Sequence, residues 1–503
     1  MLSRNNTVRM RIWQLPAAAL LLVLVSLPAA WAQQPEGPSA APPAAVGQDA
    51  SNLGSNQNPP LSSLDQPSLE PGGGTRNFLQ PAVLASESVD TNIGNALNSS
   101  AIHGITRAFG SLLLERNWKR AETSLAYVGG GQLYTGYSRT GSLIQAFDGE
   151  QRLGWRTGQF VVRDIFSYLP EGAFGAPTAY GLGSVGETAL QSEFPSLFNS
   201  QQFASFGEEP RITNMAAAEI SQSFSPRSAL TMAGGYGLIH FLDNNVSNGG
   251  NGVSNGGGFI DSNSVRAQVA YNYQITRKDL VALSYAYLDF AFPNLGETLA
   301  SQFAGATIRT QIVSLMYGHR ISGRLDFSLG AGPQFTHITQ PNSTPSNDLT
   351  PYVTVLLRYR LSRTSLSLNY TQRNTSGSGL ALGTQSDIGR LSATHVLSRS
   401  WELSADLGYA HNRSLIAVPV TLGIPGLPPG SEQEVVEAQR FDRGFVGLQA
   451  RYRFNRYLSS FVSYTFDDLS LNRGACQSEG SCGSQRHLGV IGVEWHPRPI
   501  RLE

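Results

Sequence analysis

Arginine is placed with a pattern in this chain. Arg266, Arg309, Arg358, Arg360, Arg373, Arg443, Arg451, Arg453 and Arg486 fall on the polar side of stretches in which polar and apolar residues alternate. Glu402, Asp406 and Glu494 fall on the same side of similar stretches. A guanidinium stays charged at every physiological pH. A surface carrying many of them either draws in anions or is neutralised by carboxylates within reach. The sequence leaves both outcomes open.

Other reactive side chains are sparse. Cys476 and Cys482, in CQSEGSC, are the only cysteines. In an oxidising compartment two thiols this close pair as a disulfide that closes one loop. His487 is the nearest further metal ligand, and two thiolates with one imidazole fall short of a zinc site. No metal site is expected. His103, His240, His319, His337, His395 and His411 are scattered without ligand spacing. H-E-x-x-H and P-loop motifs do not occur. The chain is therefore not read as an enzyme, and neither catalytic residues nor a cofactor are expected.

The elements that would position these groups are set by composition and period. The chain has 503 residues and zero formal net charge, and only 14% of it is Asp, Glu, Lys or Arg. Soluble domains carry about 25%. No global field favours nucleic acid, which is not an expected partner. Arg4, Arg9 and Arg11 precede an apolar run from about Leu15 to Leu27, followed by Ala30-Trp31-Ala32. Residues 1–32 read as a secretory signal cleaved between Ala32 and Gln33. Residues 33–77 are rich in Pro, Ala, Gln, Ser and Gly and read as a disordered periplasmic segment. No later run reaches the ~18–20 apolar residues of a membrane helix.

Residues 78–503 alternate with period two. In 265–275, Val265, Ala267, Val269, Tyr271 and Tyr273 oppose Arg266, Gln268, Asn272 and Gln274. In 401–409, Trp401, Leu403, Ala405, Leu407 and Tyr409 oppose Glu402, Ser404 and Asp406. Stretch 308–320 is less clean, with apolar residues of both parities. Short turns such as Leu361-Ser362-Arg363-Thr364 and Leu397-Ser398-Arg399-Ser400 alternate with long connections, including 170–211, 243–263 and 412–440. Every short turn therefore lies at one end of the strands and every long loop at the other. The expected fold is all-β: an antiparallel up-and-down barrel of about 18 strands, or 16 without the first pair. The strands, of about 10–14 residues, suit a tilted bilayer crossing. A short helix near 187–205 is expected within the 170–211 insertion.

In a soluble sheet the polar face meets water and carries Lys and Glu. Here the polar face carries Ser, Asn, Gln, Tyr and Arg, and Lys119 and Lys278 are the only lysines. Tyr271, Tyr273, Trp401, Tyr409, Tyr452, Phe454, Tyr464, Phe466 and Trp495 lie near strand ends on the apolar face, as in aromatic girdles. The apolar face is thus expected to meet lipid and the polar face an inner lumen.

RHLGVIGVEWHPRPIRLE, at the C-terminal end, resembles the closing strand of bacterial outer-membrane β-barrels: Ile491, Val493 and Trp495 alternate toward an aromatic, although His496 to Glu503 follow it. The resemblance is architectural and porin-like, with no subfamily motif. It implies the outer membrane of a diderm bacterium, with outer-membrane lipid and the barrel-assembly machinery as partners. The arginines and acids named above would then line a pore for small polar or anionic solutes. Two rivals remain: a non-conducting scaffold, adhesin or export-partner barrel, and a soluble secreted β-propeller or sandwich array. Oligomeric state is not legible.

Overall fold

The computed structural model describes residues 77–92, 101–136, 141–169, 211–242, 261–293, 305–340, 344–375, 382–416, 418–422, 433–437, 440–455, 457–471, 482–495 and 497–502. The signal segment, residues 33–76, nearly all of the 170–211 insertion with its expected helix, and Cys476 lie outside them. No helix long and apolar enough to cross a membrane occurs among the described residues.

The strands are β1 (Phe78–Asp90), β2 (His103–Asn117), β3 (Ala121–Thr135), β4 (Gly141–Trp155), β5 (Gly158–Leu169), β6 (Arg211–Ser225), β7 (Ser228–Phe241), β8 (Ser262–Gln274), β9 (Asp279–Ala291), β10 (Thr307–Ser322), β11 (Leu325–Thr339), β12 (Ser346–Arg360), β13 (Thr364–Thr375), β14 (Thr384–Val396), β15 (Trp401–Ser414), β16 (Val418–Leu422), β17 (Gln433–Glu437), β18 (Arg440–Arg453), β19 (Leu458–Leu471), β20 (Cys482–Trp495) and β21 (Ile500–Arg501). Each wall strand pairs antiparallel with the next, from β1 to β15 and on through β18, β19 and β20. β20 then pairs antiparallel with β1, from Val83↔Trp495 to Asp90↔Leu488, so the sheet closes on itself as an 18-strand barrel. One closed sheet excludes the propeller and sandwich alternatives. β16 and β17 form a separate hairpin within the 412–440 connection.

The residues after Trp495 have a structural use. Ile500 and Arg501 pair with Leu79 and Phe78, and Leu502 N donates to Asn77 O at 3.0 Å. Pro497 and Pro499 lie between, where a missing N–H stops regular pairing. The tail thus lengthens the seam at the foot of β1. At the other end of the seam, Thr91 N donates to His487 O (3.1 Å) and His487 N to Thr91 Oγ1 (2.9 Å).

Four of the short turns are held by one small polar side chain each. Ser225 Oγ accepts from Arg227 N and Ser228 N; Thr276 Oγ1 accepts from Lys278 N and Asp279 N. Ser398 Oγ accepts from Ser400 N and Trp401 N, and Asn455 Oδ1 from Tyr457 N and Leu458 N. These side chains satisfy amide groups that have left the ladder, which explains why Ser, Thr or Asn recurs there.

Parity decides which face is outside. Leu133, Leu315, Val462 and Ile491 point outward with more than half of their surface exposed, while Ser88, Asn272, Thr310 and Gln334 point inward and are almost fully buried. Burial is inverted relative to a soluble protein, and the exposed apolar wall is the surface that lipid covers. The aromatics expected on the outer face point outward: Tyr271, Tyr273, Trp401, Tyr409, Phe454, Tyr464 and Trp495 are all exposed, Tyr464 lying midway along β19 rather than near its end.

Leu315 sits midway along β10 on the outer face. Leu315→Arg is expected to cost about 2–4 kcal/mol in lipid, as for a charge at the bilayer midplane. Reversible urea unfolding from phospholipid vesicles measures it. A cost below ~0.5 kcal/mol, as at an ordinary solvated surface site, would show that this face does not meet lipid.

Candidate functional site: the inner wall

The inner wall carries its ionic side chains in two tiers. Near the long-loop end they form buried pairs between neighbouring strands. Arg443 on β18 donates through Nε to Asp467 Oδ1 on β19 at 2.9 Å and through Nη2 to Oδ2. Arg486 on β20 donates through Nε to Asp90 Oδ2 on β1 at 2.7 Å, across the seam. Asn92 supports that carboxylate, its backbone N–H donating to Asp90 Oδ1 at 2.9 Å. Arg107 on β2 donates to Gln132 Oε1 (3.1 Å) and Ser88 Oγ (2.7 Å) on its two neighbours.

Midway down the wall and toward the short turns several pairs are partly exposed on the arginine side, while Glu150, Arg451 and Glu494 stay buried there. Arg390 on β14 chelates Asp406 on β15, with Nε–Oδ1 at 2.9 Å. Arg453 on β18 donates to Glu402 on β15, Arg320 pairs with Asp326 at 3.4 Å, and Arg152 meets Glu150 at 3.0 Å. The guanidinium side chains of the upper pairs, Arg443 and Arg486, are 2% and 3% exposed; those of Arg390, Arg152, Arg320 and Arg453 run from 21% to 54%. This contrast separates their roles. A desolvated pair must stay paired, because a lone buried charge costs several kcal/mol. A solvated pair is worth at most about 1 kcal/mol and can exchange partners with a solute.

Apolar side chains also point inward. Leu84, Phe109, Val128, Ile144, Phe461, Leu488 and Val490 form one buried cluster across β1–β4 and β19–β20. A second, around Phe290, Ile308, Ile312 and Ile338, lies at the long-loop end of β9–β11. Phe109 and Phe461 can lie flat on the wall because their cross-strand neighbours are Gly130 and Gly492, where a Cβ would overlap the ring.

Of the residues expected on the lumen side, Arg266, Arg358, Arg373, Glu402, Asp406, Arg443, Arg451, Arg453, Arg486 and Glu494 share the inward parity. Arg360 has that parity by register; its side chain lies outside the description. Arg266 packs over the Phe290 ring at 5.8 Å, and Ser459 Oγ donates to Glu494 at 3.4 Å. Arg309 is a correction. It points outward, 53% exposed, and donates to Asp289 Oδ2 at 3.3 Å beside the Tyr287 hydroxyl, which bonds the same oxygen at 3.2 Å. The cause lies in β10, where Ile308, Ile312 and Met316 are the inward set and Arg309 belongs to a polar rim on the outer face. Asp90, Arg107, Arg163, Arg390 and Asp467 are inner-wall residues that sequence reading missed. Strict parity along their strands was the available signal. Asp467 and Asp468 are adjacent, and the alternation of Ser463 and Thr465 against Val462, Tyr464 and Phe466 picks out Asp467 as the inward one. The Cys476–Cys482 pairing falls outside the described residues, as does Gly252-Val253-Ser254-Asn255-Gly256, which has the spacing of a hydrolase nucleophile turn.

Closure, inverted burial and a charged inner wall define the class: a porin-like transmembrane β-barrel. No family model matches the chain, and no curated protein does. Among solved structures it is similar to Pseudomonas aeruginosa OccK2 (OpdF), at 11% identity over 84% of this chain and 99% of that one, TM-score 0.38. Acinetobacter baumannii OccAB3 matches at 8% identity over 84% and 99%, TM-score 0.37. The FrpB iron transporter from Neisseria meningitidis matches at 8% over 84% and 82%, TM-score 0.40.

Asp467→Asn removes the carboxylate charge facing the buried Arg443 and is expected to destabilise the barrel by about 3–5 kcal/mol. Glu402→Gln, beside the half-exposed Arg453, is expected to cost less than about 1 kcal/mol. Urea midpoints of the two variants in the same vesicles test the two-tier assignment; equal losses would contradict it.

Proposed function

We propose that the barrel is a passive, porin-like channel of a diderm outer membrane, conducting small polar or anionic solutes. The observation that supports this reading is the solvated lower tier of the inner wall. There Arg358, Arg390 and Arg453 share the lumen side with Asp406, Glu402 and neutral Ser and Asn side chains. Eighteen strands leave room for water inside. Partly exposed guanidinium groups along that path favour anions. The reading gives the chain no catalytic step. A second reading, a non-conducting scaffold or export-partner barrel, draws on the upper tier, where inward side chains such as Asp90, Ile105, Phe290 and Ile308 are fully buried.

Planar-bilayer recording of the purified barrel separates the two. The channel reading expects unitary steps and an anion-directed reversal potential in a salt gradient. Arg358→Gln with Arg453→Gln should move that potential toward cation preference. Purified, folded protein that never gives steps would falsify the channel reading and leave the scaffold. In the same setting Cys476 and Cys482 are proposed to be disulfide-bonded. Both should resist alkylation in non-reduced protein isolated from envelopes and react after reduction; ready labelling of the non-reduced thiols contradicts the bond.

A further inference from the structure

The eight connections at the short-turn end are 118–120, 156–157, 226–227, 275–278, 323–324, 361–363, 397–400 and 454–457. Every one contains at least one arginine, and none contains Asp or Glu. In seven of them the basic residues are exposed; Arg456, in the eighth, lies outside the described residues. The opposite end has the reverse sign in its longest connections: 170–210 holds five glutamates and 415–439 three, with no basic residue in either. A net charge of zero conceals two oppositely charged ends.

Charge is only half of the pattern. At each short turn a large, exposed apolar residue on the outer side sits within three positions of the basic one. Arg156 follows Trp155, Arg324 follows Ile321 and Arg363 follows Leu361. The four tryptophans of the barrel, Trp118, Trp155, Trp401 and Trp495, all lie at this end, 40–49% exposed. Asp279, the acid nearest to a turn cation in sequence, is already engaged by Tyr317 Oη (2.7 Å) and His319 Nδ1 (2.6 Å).

We propose that this rim is an anchor for anionic phospholipid headgroups of the leaflet that the short turns face. The inference rests on the membrane placement of the barrel, not on conduction. A cation one to three residues beyond an apolar anchor puts a guanidinium at phosphate depth while its neighbour stays among acyl chains. Hairpins two strands apart repeat about every 10 Å around the wall. The cations therefore face every direction, which fits a surrounding lipid annulus. A folded protein partner would be met by a patch on one side, and a soluble anion would not need the apolar half.

The rim tryptophans report on their own lipid neighbours. The full chain, folded into phosphatidylcholine vesicles with a minor fraction of phosphatidylglycerol, is compared with bromine on the tails of one lipid or the other. Quenching should show phosphatidylglycerol enriched at the rim on the order of fivefold at low salt, falling toward parity near ~1 M NaCl, where the Debye length is about 3 Å. The fourfold variant R227Q/R324Q/R363Q/R399Q should lose the enrichment, and the matching Lys variant should keep it. Heat-modifiable migration confirms that each variant is folded. Quenching in simple proportion to composition overturns the inference, as does enrichment that survives the Gln variant. Barrels that insert without preference overturn this inference alone. A chain that never enters bilayers overturns it together with the membrane placement beneath it.

Discussion

Every part of this structure depends on one requirement: in hydrocarbon each backbone N–H and C=O must find a partner within the protein. An open sheet leaves two edges, and each unpaired group there costs several kcal/mol. Closure removes both edges, and it is made at one seam between segments almost four hundred residues apart in sequence, β1 and β20. That seam is reinforced more than register alone needs. The buried Arg486–Asp90 pair crosses it near the long loops, and the terminal β21 extends it at the short turns.

Closure also fixes the inversion. Once the sheet is a cylinder, the apolar parity has only the outside to occupy, and the polar parity is enclosed. Enclosure is what turns arginines from solvated groups into structural ones. At the long-loop end their partners come from adjacent strands at inward positions, and burial makes those bonds obligatory. Toward the short turns Arg320 and Arg453 are partly exposed beside their carboxylates, while Arg451 and Glu494 stay buried. The same ion-pair chemistry thus recurs at different degrees of burial, and the apolar clusters around Phe109 and Phe290 share the enclosed wall with it.

Much of this was legible in the chain, for a simple reason. Period-two alternation is local, and it survives whatever the sheet does afterwards. The strands Ser262–Gln274 and Trp401–Ser414 face as their residues alternate. The Ser, Thr and Asn of the short turns could be read as turn formers because their bonds reach only two or three residues. Arg309 failed because β10 is apolar on both parities, so alternation carries no direction there. Its outward place follows from Asp289 and Tyr287 on the neighbouring β9.

The sequence by itself determined the alternation of short and long connections, the arginine in every short turn and the inverted polarity of the wall, since these depend on residues close together along the chain; it left the strand count at 18 or 16 until β1 and β2 closed the sheet. Only the tertiary structure decided which arginine meets which carboxylate and how the tail past Trp495 joins the first strand. Those contacts lie across strands. Register and closure set them, and they also set how deeply each charge is buried in the enclosed wall.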